Sequence, residues 1–186
     1  MPARPLRPEE LAEVEKVFGD GLDISVIHVN EGSPIPNWIG RIGAFFRRTT
    51  PPTQNAITLG NTSYFPIALV TDQPQHTDWL RDMGWLMHEL THVWQYQHVG
   101  IRYLIEALMR PIYVYAPPGQ TVDVALSGFS KAGRTFQDFN REQQGDIVRD
   151  YYFYLKENRD VAAWDPYLKS LREPPAGRER PRTTTR

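Results

Sequence analysis

The stretch His88-Glu89-Leu90-Thr91-His92-Val93-Trp94-Gln95 sets two imidazoles four residues apart with a carboxylate beside the first. On a helix, residues four apart lie on one face a turn from each other. This HExxH spacing therefore lets both histidines reach one tetrahedral metal ion while Glu89 stands next to the remaining coordination position. The surrounding residues say what kind of helix it is. From about Thr77 to His98, Trp79, Leu80, Met83, Leu86, Met87, Leu90, Val93 and Trp94 form a broad apolar stripe, which predicts a long, mostly buried helix with Thr77 or Asp78 as its cap. Gly84, four residues before His88 on the same face, either leaves open space over the site or is simply a tolerated helix glycine.

Working outward, Ala56-Ile57-Thr58-Leu59 and Ser63-Tyr64-Phe65 flank Gly60-Asn61 and predict a hairpin or bent strand pair just upstream of the motif helix. An exposed strand beside a metal helix can add an extended peptide as a further strand; the alternative is a hairpin that only covers the core. Pro8-Glu9-Glu10 has the character of a first helical turn, and Leu11, Val14, Val17 and Phe18 recur at helical spacing until Gly19 and Gly21. Ile24 to Val29 is short and β-branched, as a strand would be. Glu31-Gly32-Ser33-Pro34-Ile35-Pro36 and Thr49-Thr50-Pro51-Pro52 are expected loops, with Arg41, Arg47 and Arg48 between them on a solvated surface.

Downstream, a helix over Ile101 to Arg110 is expected to stop at Pro111, Pro117-Pro118-Gly119 to turn, and Ser127-Gly128-Phe129 to Gly133 to form a flexible passage. A further helix is predicted over Phe136 to Glu157, where Ile147, Val148, Tyr151, Tyr152, Tyr154 and Leu155 can pack on the motif helix and Gly145 permits close approach. The expected fold class is α+β, mainly helical: an active-site helix, a glutamate-bearing helix and a small antiparallel sheet, in one domain over residues 1–172. Residues 173–186, rich in Pro, Thr and Arg, are expected to be a disordered tail.

Composition narrows the chemistry. With 186 residues, 40% of them hydrophobic, the chain can bury one sizeable core. It has no cysteine, so disulfides and thiolate zinc sites are excluded and any transition metal must be held by histidine, carboxylate or water. A formal charge of −1 gives no electrostatic reason to expect nucleic acid or anionic membrane as a partner. Met1 to Pro8 runs into Glu9-Glu10 without an apolar core of a signal peptide, and no run approaches the ~20 apolar residues of a membrane span. Synthesis in the cytoplasm without a signal peptide is the corresponding expectation.

A zinc site needs at least a third protein ligand, and three residues compete for the place. His98 lies ten residues after His88, where HExxHxxGxxH proteins carry a third histidine, but that pattern needs a glycine where this chain has Gln95. Without the glycine the helix continues and carries His98 away. Glu142 is followed at helical spacing by Asp146, so Glu142 can bind the metal while Asp146 accepts the spare N–H of a ligating histidine. An exposed acidic pair beside Arg141 and Arg149 is the plainer account of the same residues. Glu106 has no partner spacing and ranks last. His28 and His76 are read as ordinary surface or turn histidines.

These stretches together resemble the zincin-like metallopeptidases encoded with Rhs and valine-glycine-repeat spike proteins of bacterial contractile injection systems. The resemblance rests on Arg4-Pro5-Leu6 through Val17-Phe18-Gly19-Asp20, on Ile57 through Phe65, on His88 to Gln97, and on Asn140-Arg141-Glu142-Gln143-Gln144 with Asp146, spanning about positions 4 to 155. It departs mildly at Gly145, where alanine is expected. The resemblance implies a gluzincin-like peptidase with Zn2+ held by His88, His92 and Glu142, and Glu89 as general base. It further implies a peptide or protein substrate, a spike or Rhs-type partner, and export by a contractile, type VI kind of secretion system as an effector or processing domain. Tyr151, Tyr152, Arg149 and Tyr113 are candidates for the donor that steadies the oxyanion, and loops such as Gln120 to Thr135 for specificity. Two rivals stand beside this reading: a catalytically inactive, zinc-stabilised adaptor of an injection apparatus, and an HExxH that arises by chance in a packed helix.

Overall fold

The motif segment forms the longest helix of the computed structural model, which describes residues 2–35, 55–103 and 114–175. The described helices are α1 Pro8–Phe18, α2 Trp79–Val99, α3 Val122–Lys131, α4 Arg141–Lys156 and α5 Asp165–Leu171. The strands are β1 His28–Asn30, β2 Ile57–Leu59 and β3 Thr62–Tyr64. The architecture is mixed α+β and mainly helical, with one small sheet. The expected loop with Arg41, Arg47 and Arg48, the Thr49–Pro52 loop, most of the Ile101–Arg110 helix, Glu106, Tyr113 and the tail beyond residue 175 lie outside the described residues.

α2 buries most of its apolar stripe: Met83, Leu86, Met87, Leu90 and Val93 are each fully buried, while Trp79 and Leu80 in the first turn are partly buried. Asp78 stands at its N-cap, without a side-chain cap bond, and Gly100 at φ +69 ends it. α4 packs along it in antiparallel sense, Gly84 facing Phe153, His88 facing Gly145 and Asp146, and Gln95 facing Arg141 and Gln144. Both glycines are there for contact. A Cβ on Gly84 would stand 2.1 Å from Phe153 Cε1, and one on Gly145 would stand 2.7 Å from His88 Cε1. Gly84 therefore does not leave space over the site: the ring of Phe153 on α4 lies in the room a side chain would take. Gly145 acts as expected, and it is the metal-helix histidine that occupies the room.

The sheet has the order β1-β3-β2 and is mixed, not antiparallel as expected: β3 pairs antiparallel with β2 and parallel with β1. Gly60-Asn61 makes the predicted two-residue hairpin, with Gly60 at φ +64. β1 joins it in parallel because the chain between β1 and β2 is long enough to cross over. Strand structure begins later than Ile24, since Ile24–Val26 is a 3-10 turn. The Asp23 carboxylate accepts from the Ser25 amide and hydroxyl, an Asx turn that competes with extended backbone.

Two further differences concern helices. Ser127 to Gly133 is not a flexible passage; α3 runs through Gly128 to Lys131, burying Ala125 and Leu126, and Gly133 at φ +80 follows its end. The predicted helix from Phe136 is broken, with a 3-10 turn at Phe136–Asp138 before α4 starts at Arg141. Asn140 restarts it: its side chain accepts from the Gln143 amide at 2.9 Å, while Gln143 Oε1 accepts from the Asn140 amide at 3.3 Å. α5, unforeseen, opens at Asp165-Pro166 and buries Tyr167, Leu168 and Leu171 against α1 and the Phe136–Asp138 turn. Trp164, just before it, is fully buried and donates from its indole to Ile147 O at 2.9 Å, tying this C-terminal layer to α4.

Candidate metal centre

The restart of α4 at Asn140 puts Glu142 in the first helical turn, where the exposed amide ends of the helix favour a carboxylate. The antiparallel packing then carries it to the motif face of α2. His88, His92 and Glu142 present one ligand atom each, all within 4.8 Å of one another. His88 Nε2 lies 3.3 Å and His92 Nε2 lies 3.6 Å from the same oxygen, Glu142 Oε2.

These distances discriminate between two accounts of the cluster. A charge-assisted N–H to carboxylate bond is usually ~2.7–2.9 Å long. Ligand atoms ~2.0–2.2 Å from a tetrahedral zinc stand ~3.3–3.5 Å apart. The observed separations match the second spacing. The remaining ring nitrogens are already engaged, His88 Nδ1 with Asp146 Oδ1 at 3.0 Å and His92 Nδ1 with Gln95 Oε1 at 2.8 Å. Each partner is an acceptor, so both Nδ1 atoms carry a proton, and a neutral ring at either position would turn its Nε2 lone pair to the shared space. Donor type, spacing and tautomer therefore all suit a zinc-like cation, and the cluster can hold a metal ion.

Both orienting groups are themselves anchored. Asp146 Oδ1 accepts from Arg149 Nη1, Arg149 also grips Asp150, and Asp150 accepts from the Tyr115 hydroxyl at 2.8 Å. The fully buried Gln95 donates from its amide to Arg141 O and to Gln144 Oε1, both at 2.9 Å. Gln144 in turn donates to Phe136 O and Phe139 O. Asp146 Oδ1, both Asp150 oxygens and the side-chain amides of Gln95 and Gln144 are partnered in this relay, as buried polar groups require.

Glu89 stands on the inner side of the cluster. It is buried, with Oε2 accepting from Thr58 Oγ1 at 2.8 Å. Burial raises its pKa, and the opposing pull of His92, His88 and the Thr58 hydroxyl does not fully offset that, so the net shift is upward. For His88 burial works downward, but the hydrogen bonds to Asp146 and Glu142 and the charge of Glu89 outweigh it and push the ring up to about 10. For His92 burial also works downward, but the Glu142 carboxylate 3.6 Å from its Nε2 and the charge of Glu89 outweigh it, and the net shift is upward. Burial would raise Glu142, yet the two histidines hold it well below the usual carboxylate range. Without a cation, the cluster thus holds protons where a metal would sit.

The other sequence candidates fall elsewhere. His98 leaves the cluster, its Nδ1 on Trp94 O at 2.8 Å and its ring stacked on Trp94. Tyr152 is buried with its hydroxyl on Glu13 Oε2, and Tyr151 packs against Trp164 and accepts from Arg172. Arg149 is committed to Asp146 and Asp150, so Arg149 and Tyr152 are both engaged away from an oxyanion, while Tyr151, among the described residues, only accepts. Sequence reasoning missed Gln95 as the partner of His92, Thr58 as the partner of Glu89, and Tyr103. Tyr103 stacks on the His92 ring with centroids 6.2 Å apart and donates to Thr58 O at 2.6 Å. The only sequence signal for Gln95 was its i+3 spacing from His92; Thr58 had none, because its contact crosses from sheet to helix. His28 and His76 are remote from the centre, bonded locally to Val26 O and the Asp78 amide.

Fold and site together define a mainly helical α+β domain with a His, His, Glu cluster shared between two antiparallel helices. No family model matches the chain. It is 28% identical over 174 residues to the type VI secretion system spike protein VgrG2b of Pseudomonas aeruginosa, a match that takes in 94% of this chain and 15% of that protein. The structure is similar to the effector domain of Pseudomonas aeruginosa VgrG2b, with a TM-score of 0.54 and 26% identity over 88% of this chain and 80% of that one.

Proposed function

We propose that the domain is a zinc-dependent peptidase deployed with a type VI secretion spike. The observation that carries the reading is the cluster itself: two imidazole nitrogens 3.3 and 3.6 Å from one Glu142 oxygen, each ring held through its Nδ1, with a buried carboxylate beside them. Three ligands are the number a catalytic zinc site uses, leaving one position for water or substrate. His88, His92 and Glu142 would hold the ion, and Asp146 and Gln95 would orient the imidazoles. A zinc ion there supplies Lewis acidity, polarising a peptide carbonyl and acidifying a water from a pKa of ~16 towards ~7.

Glu89 is the general base. Its carboxylate accepts one proton as the water oxygen bonds to the carbonyl carbon, and returns it to the amide nitrogen as the C–N bond breaks. A positioned group of this kind contributes typically ~10²–10⁴-fold to rate. β2 is one of the two edge strands of the described sheet, the other, β1, being bridged by Arg4, and it lies against α2, which supports entry of a peptide as an added strand. Thr58 O already accepts from Tyr103, so a docked strand would share that acceptor or displace the tyrosine.

Likeness to a spike protein and to its effector domain supports a spike as partner and export through the secretion apparatus. None of the described helices is long and apolar enough to cross a membrane. The test is direct: the purified chain should bind about one zinc, and Glu89→Gln should retain it while losing cleavage of a complex peptide mixture, scored by new N-termini. Undiminished cleavage by Glu89→Gln would remove Glu89 from the mechanism. Retained zinc with no cleavage by either protein would favour a zinc-stabilised adaptor.

A further inference from the structure

We infer that Thr58, backed by Ser63, is the positioning residue of the Glu89 carboxylate, holding Oε2 so that Oε1 is the oxygen that takes the proton. The inference rests on the peptidase reading above and adds a residue from the sheet to it. Thr58 Oγ1 has three oxygens within reach: Glu89 Oε2 at 2.8 Å, Ser63 Oγ at 2.9 Å and Glu89 O at 3.1 Å. It has one proton to give. The backbone oxygen and an ionised carboxylate can only accept, so the contact with Ser63 must be one in which a hydroxyl donates. The arrangement that satisfies both hydroxyls runs in one direction. Ser63 donates to Thr58 Oγ1, and Thr58 donates to the charged Oε2, its shortest and strongest acceptor.

All three side chains are buried, so water does not compete for these bonds: Thr58 is 2%, Ser63 0% and Glu89 4% exposed. The strand is in turn fixed from the other side, because Tyr103 donates to Thr58 O while its ring stacks on His92. Base and ligand are therefore indexed to the same strand residue. The two carboxylate oxygens are not equivalent. Oε2 is held from behind, whereas Oε1 accepts no hydrogen bond from the described residues. It is not sealed in the core either, since the only fully buried, unpartnered side-chain nitrogen or oxygen among those residues is Trp94 Nε1. Oε1 is the oxygen left for the substrate water.

The experiment compares Thr58→Val, which removes the hydroxyl at nearly constant shape, with Thr58→Ser, which keeps it. For Thr58→Val we expect kcat to fall about 10- to 100-fold, as for other outer positioning groups, with KM and zinc stoichiometry unchanged and kcat restored in Thr58→Ser. Wild-type kcat in Thr58→Val, or a loss that Thr58→Ser fails to repair, overturns the inference. A second measurement does not need turnover. Melting temperatures of the metal-free protein are taken for Thr58→Val in the wild-type and Glu89→Ala backgrounds. A held carboxylate makes the valine cost larger when Glu89 is present; equal losses in both backgrounds overturn the hydrogen bond itself. If the wild type cleaves nothing, the peptidase reading fails while the melting cycle still decides whether Thr58 holds Glu89.

Discussion

At the residue scale, the two histidines are oriented by chemically different partners. His88 leans on an anion, Asp146, and His92 on a neutral amide, Gln95. His88 thus gains an opposing charge on its Nδ1 side, and the metal-free cluster holds protons on two rings whose pKa values are both raised. The pKa of His88, raised from 6.5 to about 10, fixes the sign of a pH effect. A group raised on folding stabilises the native state fully below its unfolded value and loses that contribution as pH climbs through its folded value. Metal-free protein should therefore lose melting temperature between about pH 6.5 and pH 10. Zinc takes the place of the proton, so the loaded protein should show much less of this slope. Asp146→Asn should flatten it in the metal-free protein. A metal-free melting temperature that holds level across that window would contradict the protonated cluster. Gly145 belongs to the same scale. Alanine, which family resemblance would suggest there, brings a Cβ within 2.7 Å of the His88 ring, so the glycine sets how far that ligand can reach towards Glu142.

At the scale of elements, the site exists because α2 and α4 approach closely along their whole contact. Gly84 is as important to this as Gly145, being the point where Phe153 crosses α2. Gly84→Ala places a methyl group 2.1 Å from that ring and should destabilise the fold by about 1–3 kcal/mol, the usual range for overpacking. At roughly 2–4 °C per kcal/mol for a chain of this size, the melting temperature should drop by several degrees or more. An unchanged melting temperature would mean the helices are looser than described. How much of this was legible in the sequence depended on range. The apolar stripe of α2 and the Gly60-Asn61 hairpin are local patterns, and both were readable. The break before α4 was hidden because Phe136 and Phe139 continue the apolar pattern of Ile147 and Val148, masking the cap pair Asn140 and Gln143. α3 was taken for a flexible passage because Ser127, Gly128 and Gly133 outweighed the buried faces of Ala125 and Leu126. The parallel pairing of β1 could not be read at all, since it depends on a crossover and not on either strand. For the site, helical spacing made His88 and His92 a pair and offered Glu142 with Asp146 beside His98 and Glu106, though an exposed acidic pair fitted the same spacing. Thr58 and Tyr103 enter through contacts between sheet and helix that no spacing encodes.

At the scale of the whole molecule, the N-terminal segment is clasped to the body by a buried charge network. Arg4 and Arg7 both engage Glu10 and Glu31, and Thr71 donates to Glu10. Arg4 also pairs its backbone with Val29 in β1, so the network braces the sheet from which Thr58 reaches the site. α1 is also held from the segment after α5, Arg172 donating to Val17 O and Lys16 O. Within the fold so braced, α2 and α4 share a His, His, Glu cluster that could hold a metal ion, Glu142 lying fifty or more positions from both histidines in sequence. The likeness to a spike-borne effector domain extends over most of the chain and therefore over both halves of this cluster. The central claim is that His88, His92 and Glu142 form an open three-ligand zinc site. X-ray absorption at the zinc edge of the purified, zinc-loaded protein tests it most directly. The account predicts two imidazoles and one carboxylate oxygen at ~2.0–2.2 Å with one further light oxygen from solvent, and loss of the carboxylate component in Glu142→Ala. A third imidazole in the shell, or an unchanged spectrum in Glu142→Ala, would contradict it.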